Sequence, residues 1–322
     1  MPICPYCKTQ EYKIQYPTYD IFDNNYEIVC CKQCKAYFLT PNPTDKQLAI
    51  AYDDSYYGGS EADEKFEGFV EKGLSFFRKQ RAKHVFGLLS KKTSSKAKIL
   101  DIGCGNGQFL DSIQSIGNID IYGTEMPGSS AKRASKIENI KLKIGVLESN
   151  NYPDNFFELI TMFHVFEHLT EPERYLDIID EILKKDGYLI VSFPNIDSWQ
   201  AKFFKGKWLH LDPPRHLFFY KPKDFIDIMK GRGFELQKEQ YFSIEQNPYG
   251  AIQSYFNLFH SKRELLFEYL KENYEYTKGT SKLLLKLEKL LFLSFTPLFV
   301  LIDLIAALFK KSATVEFVFR KK

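Results

Sequence analysis

The stretch A-K-I-L-D-I-G-C-G-N-G-Q-F, residues 97–109, decides how the rest of the chain is interpreted. The apolar run at positions 99–102 is typical of a parallel strand that is covered on both faces. Glycines follow at 103, 105 and 107, and apolar residues then return at helical spacing from 109 to 116. The pattern predicts a buried strand, a glycine turn and a helix, with a ligand site where the strand ends.

The glycine turn suits a cofactor that carries no pyrophosphate. Glycine has no Cβ to keep a ligand away from the main chain. A dinucleotide fingerprint, G-x-G-x-x-G, would need a glycine at position 108, where the chain has Gln108. Glu125 ends the next apolar run, about 20 residues beyond the turn, the distance at which a carboxylate reaches a ribose diol in such folds.

An acid followed by G-x-G-x-G is the first motif of the seven-strand class I S-adenosylmethionine-dependent methyltransferases, which this stretch resembles. The residues that match it in order are Asp101, Gly103, Cys104, Gly105 and Gly107. The resemblance implies that they bind S-adenosylmethionine together with Glu125. It also implies an α/β, Rossmann-like, seven-stranded sheet, mostly parallel with the last strand antiparallel, and helices on both faces.

The resemblance extends to the third and fourth strands. It implies that Leu147 and Glu148 flank the adenine ring, and that His164 lies at the cofactor. His164, Glu167 and His168 are expected near the chemistry, with a structural histidine as the alternative role for His168. As a string, H-V-F-E-H at 164–168 also matches a zinc-protease pattern. That pattern needs one continuous helix, which Pro172 interrupts, so we do not expect a protease.

Five of the six cysteines lie within the first 34 residues. Two C-x-x-C pairs, Cys4 with Cys7 and Cys31 with Cys34, predict a structural zinc site with four thiolates and no open position. Cys30 could replace Cys31 as a ligand, and a metal-free hairpin is the alternative.

A tyrosine-rich segment and a Pro-Pro loop are the candidates for the acceptor side. Zinc-knuckle methyltransferases of sugar and cell-envelope biosynthesis carry a segment similar to Tyr52, Tyr56 and Tyr57, which implies a lid over cofactor or substrate; surface packing is the alternative. In D-P-P-R-H, Arg215 is a candidate substrate contact, and His216 is either a base or substrate ligand, or a structural residue of the loop.

Residues 290–309 are apolar enough to resemble a membrane span, but Pro297 and Asp303 interrupt them. The last strand of the sheet is expected near the end of the chain, and a single crossing would place it beyond the bilayer. We therefore expect an interfacial helix pair within residues 282–311, flanked by lysines that meet anionic lipid. A buried helical hairpin or a dimer interface is the alternative.

Length and composition favour one large domain with additions: 322 residues, 44% of them hydrophobic. The predicted boundaries are residues 1–40 for the zinc-binding hairpin, 41–92 for the linker, lid and helix, 93–243 plus 312–322 for the methyltransferase core, and 244–311 for the helical insertion. The net charge of +3 is small and the charges are mixed, so no nucleic-acid partner is expected.

The sequence thus predicts a cytoplasmic methyltransferase, at the inner face of the membrane if the insertion contacts lipid. Its expected acceptor is a sugar, a glycolipid or another small molecule, methylated on oxygen as the first hypothesis and on carbon as the second. Two alternatives remain: a zinc-knuckle RNA methyltransferase, and a non-catalytic membrane-associated scaffold.

Overall fold

The structure is a computed structural model and describes residues 2–52, 69–89, 96–271 and 273–322. The strands are β1 (Tyr12–Tyr19), β2 (Asn25–Cys31), β3 (Tyr37–Thr40), β4 (Ala97–Ile102), β5 (Ile119–Glu125), β6 (Lys141–Ile144), β7 (Phe157–Phe163), β8 (Leu183–Pro194), β9 (Phe218–Phe219), β10 (Phe234–Gln240) and β11 (Thr314–Lys321). The helices are α1 (Asp45–Ala51), α2 (Phe69–Leu89), α3 (Gln108–Gln114), α4 (Ser129–Ala134), α5 (Pro172–Ile182), α6 (Trp199–Phe204), α7 (Pro222–Gly231), α8 (Asn247–Asn257), α9 (Leu265–Leu270), α10 (Tyr274–Thr277) and α11 (Lys282–Leu308).

Seven strands form the main sheet in the order β10-β11-β8-β7-β4-β5-β6. The pairs among β8, β7, β4, β5 and β6 are parallel, whereas β11 runs antiparallel to both β8 and β10. The predicted fold class is therefore confirmed. Because β11 follows the insertion, the chain returns after the insertion to the position between β10 and β8.

The core lies on both faces of this sheet. Along β4, Ile99 belongs to one buried cluster, with Ile121 and Leu159, while Leu100 belongs to the other, with Ile160. Neighbouring residues on a strand point to opposite faces, so a run that is apolar at every position needs cover on both sides. The carboxyl ends of β4, β5 and β7 consequently meet at one edge, where polar side chains collect.

The N-terminal unit is a second sheet, of order β1-β2-β3-β9, and not a separate hairpin. Its edge strand β9 comes from the segment just after the D-P-P-R-H loop, with Phe38 opposite Phe218. The N–H of Leu39 also donates to the carbonyl of Leu217 at 2.9 Å. The first 40 residues therefore buttress a loop of the main domain, a long-range pairing that the local pattern did not predict.

The insertion between β10 and β11 is helical, but the predicted helix pair was wrong. The apolar segment is one continuous helix, α11, and Pro297 lies inside it. Arg263 joins the insertion to the rest of the molecule, since its buried guanidinium donates to the carbonyls of Tyr19 at 3.1 Å and Gly206 at 2.9 Å.

Candidate active site

The glycine turn, residues 103–107, holds the main chain open toward solvent at one position. Gly105 has φ +57°, and a Cβ placed on it would meet nothing within 4 Å. Its N–H donates to Oε2 of Glu125 at 2.6 Å, while Oε1 of the same carboxylate accepts from the N–H of Met126 at 3.0 Å. Burial raises the pKa of Glu125, and these backbone hydrogen bonds oppose that effect.

Gly103 and Gly107 serve packing. A Cβ on Gly107 would lie 2.4 Å from Cδ1 of Ile137, and one on Gly103 would lie 2.5 Å from Cγ2 of Val165. The turn is therefore closed on two sides by side chains and open at Gly105. An open backbone beside a carboxylate fits a ligand with a ribose diol, as S-adenosylmethionine has.

Asp101 and Cys104 lie beneath the turn. The carboxylate of Asp101 is buried and accepts a hydrogen bond from Oγ1 of Thr161 at 2.7 Å. Burial raises its pKa to about 7, so a cation bound at this edge would favour its charged form. The Cys104 side chain is buried in the core. The role of these two residues toward the cofactor stays a prediction.

The adenine prediction falls on two residues with different environments. Leu147 is buried in the core beneath the main sheet, whereas Glu148 is exposed, and its N–H donates to Oδ1 of Asn151 at 2.8 Å. Glu148 is thus the more accessible of the two, and the contact of both residues with adenine stays a prediction.

The segment after β7 lies directly against the glycine turn through the contact between Val165 and Gly103. His164 has a left-handed backbone, with φ +54°, and its side chain is 30% exposed. Its Nδ1 is 3.3 Å from Oε1 of Glu167, a carboxylate buried in the short helical turn Phe166–His168. A non-glycine residue in this conformation is a recurrent feature of functional sites.

Glu167 is surrounded by imidazoles. Nε2 of His216 lies 3.9 Å from Oε1 of Glu167, and the rings of His168 and His216 meet edge to face at 4.5 Å. Burial alone would raise the pKa of Glu167, but the hydrogen bond from His164 and the charges of the three histidines lower it below its ordinary value. The carboxylate therefore stays ionised, and within the part of the chain that the structure describes its Oε2 has no hydrogen-bond partner.

His216 is fixed from both sides of its ring. Its buried Nδ1 lies 2.8 Å from the carbonyl of His210, so Nδ1 carries the proton that is donated. Its Nε2 faces two carboxylate oxygens, Oδ2 of Asp212 at 3.6 Å and Oε1 of Glu167 at 3.9 Å. We call His164, Glu167, His168, His210 and His216 the histidine cluster.

Of the remaining predicted site residues, Tyr52 and Arg215 border the histidine cluster. The hydroxyl of Tyr52 is 2.9 Å from Nδ1 of His168, consistent with a covering role. Arg215 is buried, and its Nε donates to Oδ2 of Asp212 at 2.9 Å, so its guanidinium holds the loop. Tyr56 and Tyr57 lie outside the described residues.

The predicted cysteines come together at the end of the N-terminal sheet. Sγ of Cys4 lies 3.5 Å from Sγ of Cys34, and the same distance separates Cys7 and Cys31. All four sulfurs lie within 4.8 Å of one another. Cys30 instead directs its Sγ toward the carbonyls of neighbouring residues, at 3.6 and 3.8 Å.

Sequence reasoning placed Glu167 near the chemistry by its position after the fourth strand but gave it no role, and it did not include the residues that hold His216, namely His210 and Asp212. The signal for Glu167 was its place beside His168 in the H-x-x-E-H string, which indicated a strand end close to the cofactor. No pattern pointed to His210, because it reaches the cluster through its backbone carbonyl.

This chain is similar in sequence to known proteins over the region that contains the site. The family model described as a methyltransferase domain matches residues 75–239, about half of the chain. An uncharacterized protein of Methanocaldococcus jannaschii is 27% identical over 145 residues, which are 45% of this chain and 68% of that protein. The ubiquinone biosynthesis O-methyltransferase of Pelagibacter ubique is 25% identical over 158 residues, 46% of this chain and 66% of that enzyme.

Among solved structures, the cyclase SpnF superposes with a TM-score of 0.53 at 14% identity, covering 87% of this chain and 97% of that one. At that identity the likeness shows the fold alone. The family match covers the glycine turn, Glu125 and the histidine cluster together. The chain therefore belongs to the methyltransferase domain family and is an S-adenosylmethionine-dependent methyltransferase.

Proposed function

We propose that this enzyme methylates a hydroxyl oxygen of a small-molecule, sugar or lipid-linked acceptor, with His164 as the group that takes the hydroxyl proton. The observation that carries the proposal is the pairing of His164, in its left-handed conformation, with the buried and ionised Glu167. S-adenosylmethionine, held at Gly105 and Glu125, supplies an electrophilic methyl group.

The proton has a defined path in this arrangement. Glu167 accepts the Nδ1 proton of His164, which leaves the lone pair on Nε2 directed away from the carboxylate. As the acceptor oxygen forms its bond to the methyl carbon, the bond from that carbon to sulfur breaks and its electrons stay on sulfur. The acceptor proton passes to Nε2, and the Glu167 carboxylate stabilises the imidazolium that results.

His216 positions Glu167. It is buried, bonded at Nδ1 and faced at Nε2 by two carboxylates, so it fixes the orientation of the acid more readily than it reaches a substrate. An oxygen acceptor is supported by the relatives named ubiquinone biosynthesis O-methyltransferases. Carbon methylation is the second candidate, since a carbon acid also needs a base.

The test begins with acceptor identification. Purified enzyme is incubated with isotope-labelled methyl donor and with lipid or nucleotide-sugar extracts, and the labelled product is located by mass spectrometry. We expect the label on oxygen. On that acceptor, His164→Asn is expected to lower kcat roughly 10²- to 10⁴-fold with unchanged affinity for the methyl donor, and Glu167→Gln to shift the pH profile. An unchanged kcat in His164→Asn would show that His164 is not the base, and label on carbon would favour carbon methylation.

We also propose that Cys4, Cys7, Cys31 and Cys34 bind a structural zinc ion. Tetrahedral coordination with zinc to sulfur bonds of about 2.3 Å places sulfurs about 3.8 Å apart, and the sulfur distances of 3.5 Å fit that spacing. Metal analysis of protein purified without added zinc is expected to find about one zinc per chain in the wild type and in Cys30→Ser, and none in Cys31→Ser. A folded, metal-free wild type would contradict the proposal.

A further inference from the structure

Helix α11 carries an apolar surface that the described part of the protein leaves uncovered. Its 27 residues make a rod about 40 Å long, and by length and composition it could cross a membrane. The side chains that are at least 43% exposed along it and at its end are Leu283, Leu287, Leu290, Leu293, Phe295, Leu298, Leu301, Ile302, Leu304, Ile305, Leu308 and Phe309. A soluble protein rarely exposes so large an apolar area without a partner.

The two acidic side chains of α11 point the opposite way. Glu288 is buried and hydrogen-bonded to His260, and Asp303 is buried and accepts from Nδ2 of Asn247 at 2.9 Å. The two acids are 15 residues apart, close to four helical turns, so they share the face that meets the protein. A helix with acids inward and leucines outward has the reverse of the pattern expected in water. Its outer face is therefore suited to an apolar medium.

The attachment of α11 fixes its orientation. The contacts at Glu288 and Asp303 hold the helix along its length, and after it Lys310 pairs with Glu239 and Lys311 with Asp197. The chain then enters β11, which lies between β10 and β8 in the main sheet. A helix tied to the protein at both ends cannot leave it to cross a bilayer, so its outer face can only meet a surface lying parallel to it.

The charged and aromatic residues at the two ends of α11 indicate which surface its outer face meets. Lys282, Lys286 and Lys289 are exposed at the start of the helix, where the single acid, Glu288, is turned inward. Beyond the other end, the exposed ring of Trp199 contacts Phe309 at 5.6 Å, an arrangement typical of aromatic residues at a lipid and water boundary. Lysines beside an apolar face suit anionic headgroups above acyl chains.

We infer that the outer face of α11 lies in the headgroup and acyl boundary of an anionic membrane, with the helix axis in the plane of the membrane. This inference goes beyond the proposed function and does not depend on the acceptor. The inference nevertheless bears on the proposed function, because α11 packs on α8 and α8 also contacts the histidine cluster. In α8, Oγ of Ser254 accepts from the N–H of Leu209 at 2.8 Å, and Gly250 packs against the His210 ring. Helix α8 thus connects α11, the helix that faces the membrane, to the histidine cluster.

The experiment is flotation of the full chain with vesicles of phosphatidylcholine alone or mixed with phosphatidylglycerol. We expect the wild type to bind the anionic vesicles, and Leu298→Asp with Leu301→Asp to lose at least about tenfold in partitioning. Replacing Lys282, Lys286 and Lys289 by Gln is expected to cost roughly tenfold or more and to remove the salt dependence. Ile14→Asp, at an exposed apolar position on β1, is the matched control and is expected to bind as the wild type does.

Two results would overturn the inference. One is a wild type that fails to bind anionic vesicles while it still binds S-adenosylmethionine. The other is a stable dimer that binds no vesicles and becomes monomeric with the two leucine substitutions, which would identify a second copy of the chain as the cover of α11. The substituted side chains are exposed, so far-ultraviolet circular dichroism and binding of the methyl donor are expected to stay unchanged and show that the variants are folded.

Discussion

The glycine turn and the histidine cluster lie side by side at adjacent strand ends, but they depend on the chain in different ways. The turn and its carboxylate come from one βαβ unit, residues 97–125, and the hydrogen bond from Gly105 to Glu125 closes it locally. The histidine cluster joins residues 164–168 to residues 210–216, and β9 pairs that second segment with the N-terminal sheet. The cofactor site is thus local, whereas the cluster is assembled by contacts over long sequence distances.

This difference predicts that the two sites can be damaged separately. A change in the βαβ unit should reduce binding of the methyl donor and leave the histidines in place. A change in the N-terminal sheet should displace the histidines and leave binding of the methyl donor unchanged, because the pairing of β3 with β9 connects this sheet to the active site. The predictions below test that separation, from the largest expected effect to the smallest.

Glu125→Ala is expected to raise the dissociation constant for S-adenosylmethionine roughly 100-fold. The substitution removes the acceptor for a ribose diol and also the one that holds the N–H of Gly105. Isothermal titration calorimetry measures the loss. Glu125→Gln, which keeps one acceptor oxygen, is the matched control and should lose about tenfold. Equal affinities of the wild type and the two variants would show that Glu125 does not bind the ribose.

Cys31→Ser is expected to lower kcat roughly tenfold or more while the affinity for the methyl donor changes less than about twofold. Loss of the proposed zinc ion would loosen β3 and, through Leu39 and Leu217, the loop that carries His216. Small displacements of positioning groups have large effects on rate. Steady-state kinetics and calorimetry on the same preparations separate the two quantities. Cys30→Ser serves as the control and should match the wild type; a Cys31→Ser protein that loses donor affinity and rate together would contradict the separation.

Gly105→Ala and Gly107→Ala distinguish a glycine that meets the ligand from one that meets the protein. A methyl on Gly105 enters open space, so we expect a modest loss of stability from the left-handed backbone and roughly tenfold weaker binding of the methyl donor. A methyl on Gly107 meets Ile137 and Ala134, so we expect mainly a lower melting temperature. Scanning fluorimetry with and without the donor measures both effects. The same loss of stability in both variants would show that Gly105 also serves packing.

The fold and the cofactor site were accessible from sequence because their signals are local. An apolar run, glycines at fixed spacing and an acid at the end of the next strand specify the βαβ unit without reference to the rest of the chain. The seven-stranded sheet with an antiparallel last strand followed from the family resemblance, and the alternation of its residues identified β11 as that strand. The capping box of Thr44 with Gln47 at the start of α1 is a local signal of the same kind.

The arrangement of the histidine cluster and of α11 could not be predicted from local sequence signals. Glu167 becomes central only when β9 and the D-P-P-R-H loop fold over it, which no spacing in the sequence encodes. In α11, Asp303 and Pro297 suggested a broken pair of helices. Oδ2 of Asp303 instead accepts a hydrogen bond from Asn247, 56 residues earlier in the chain, so the residue that indicated a break makes a tertiary contact.

The response to pH offers the smallest but most discriminating test, because the two sites contain buried groups of opposite character. Asp101 beneath the glycine turn has its pKa raised by burial to about 7 from an ordinary 3.8. The folded state therefore binds its proton more tightly than the unfolded state, and the stability this contributes is complete below pH 3.8 and lost as the pH rises through 7. His210 has its pKa lowered by burial to about 3 from 6.5. Its contribution is complete above pH 6.5 and is lost as the pH falls toward 3.

Asp101→Asn keeps an acceptor for Thr161 but removes the buried charge, so its melting temperature should exceed that of the wild type by roughly 3–8 °C at pH 8, with a smaller difference at pH 5. His210→Met removes the imidazole that must charge on unfolding, so its gain relative to the wild type should be larger at pH 5 than at pH 8. Melting curves at the two pH values in buffers of equal ionic strength compare the variants directly. Shifts with the same pH dependence in both would mean that the two sites do not titrate as separate units, and that the local and long-range halves of the active site are coupled in stability.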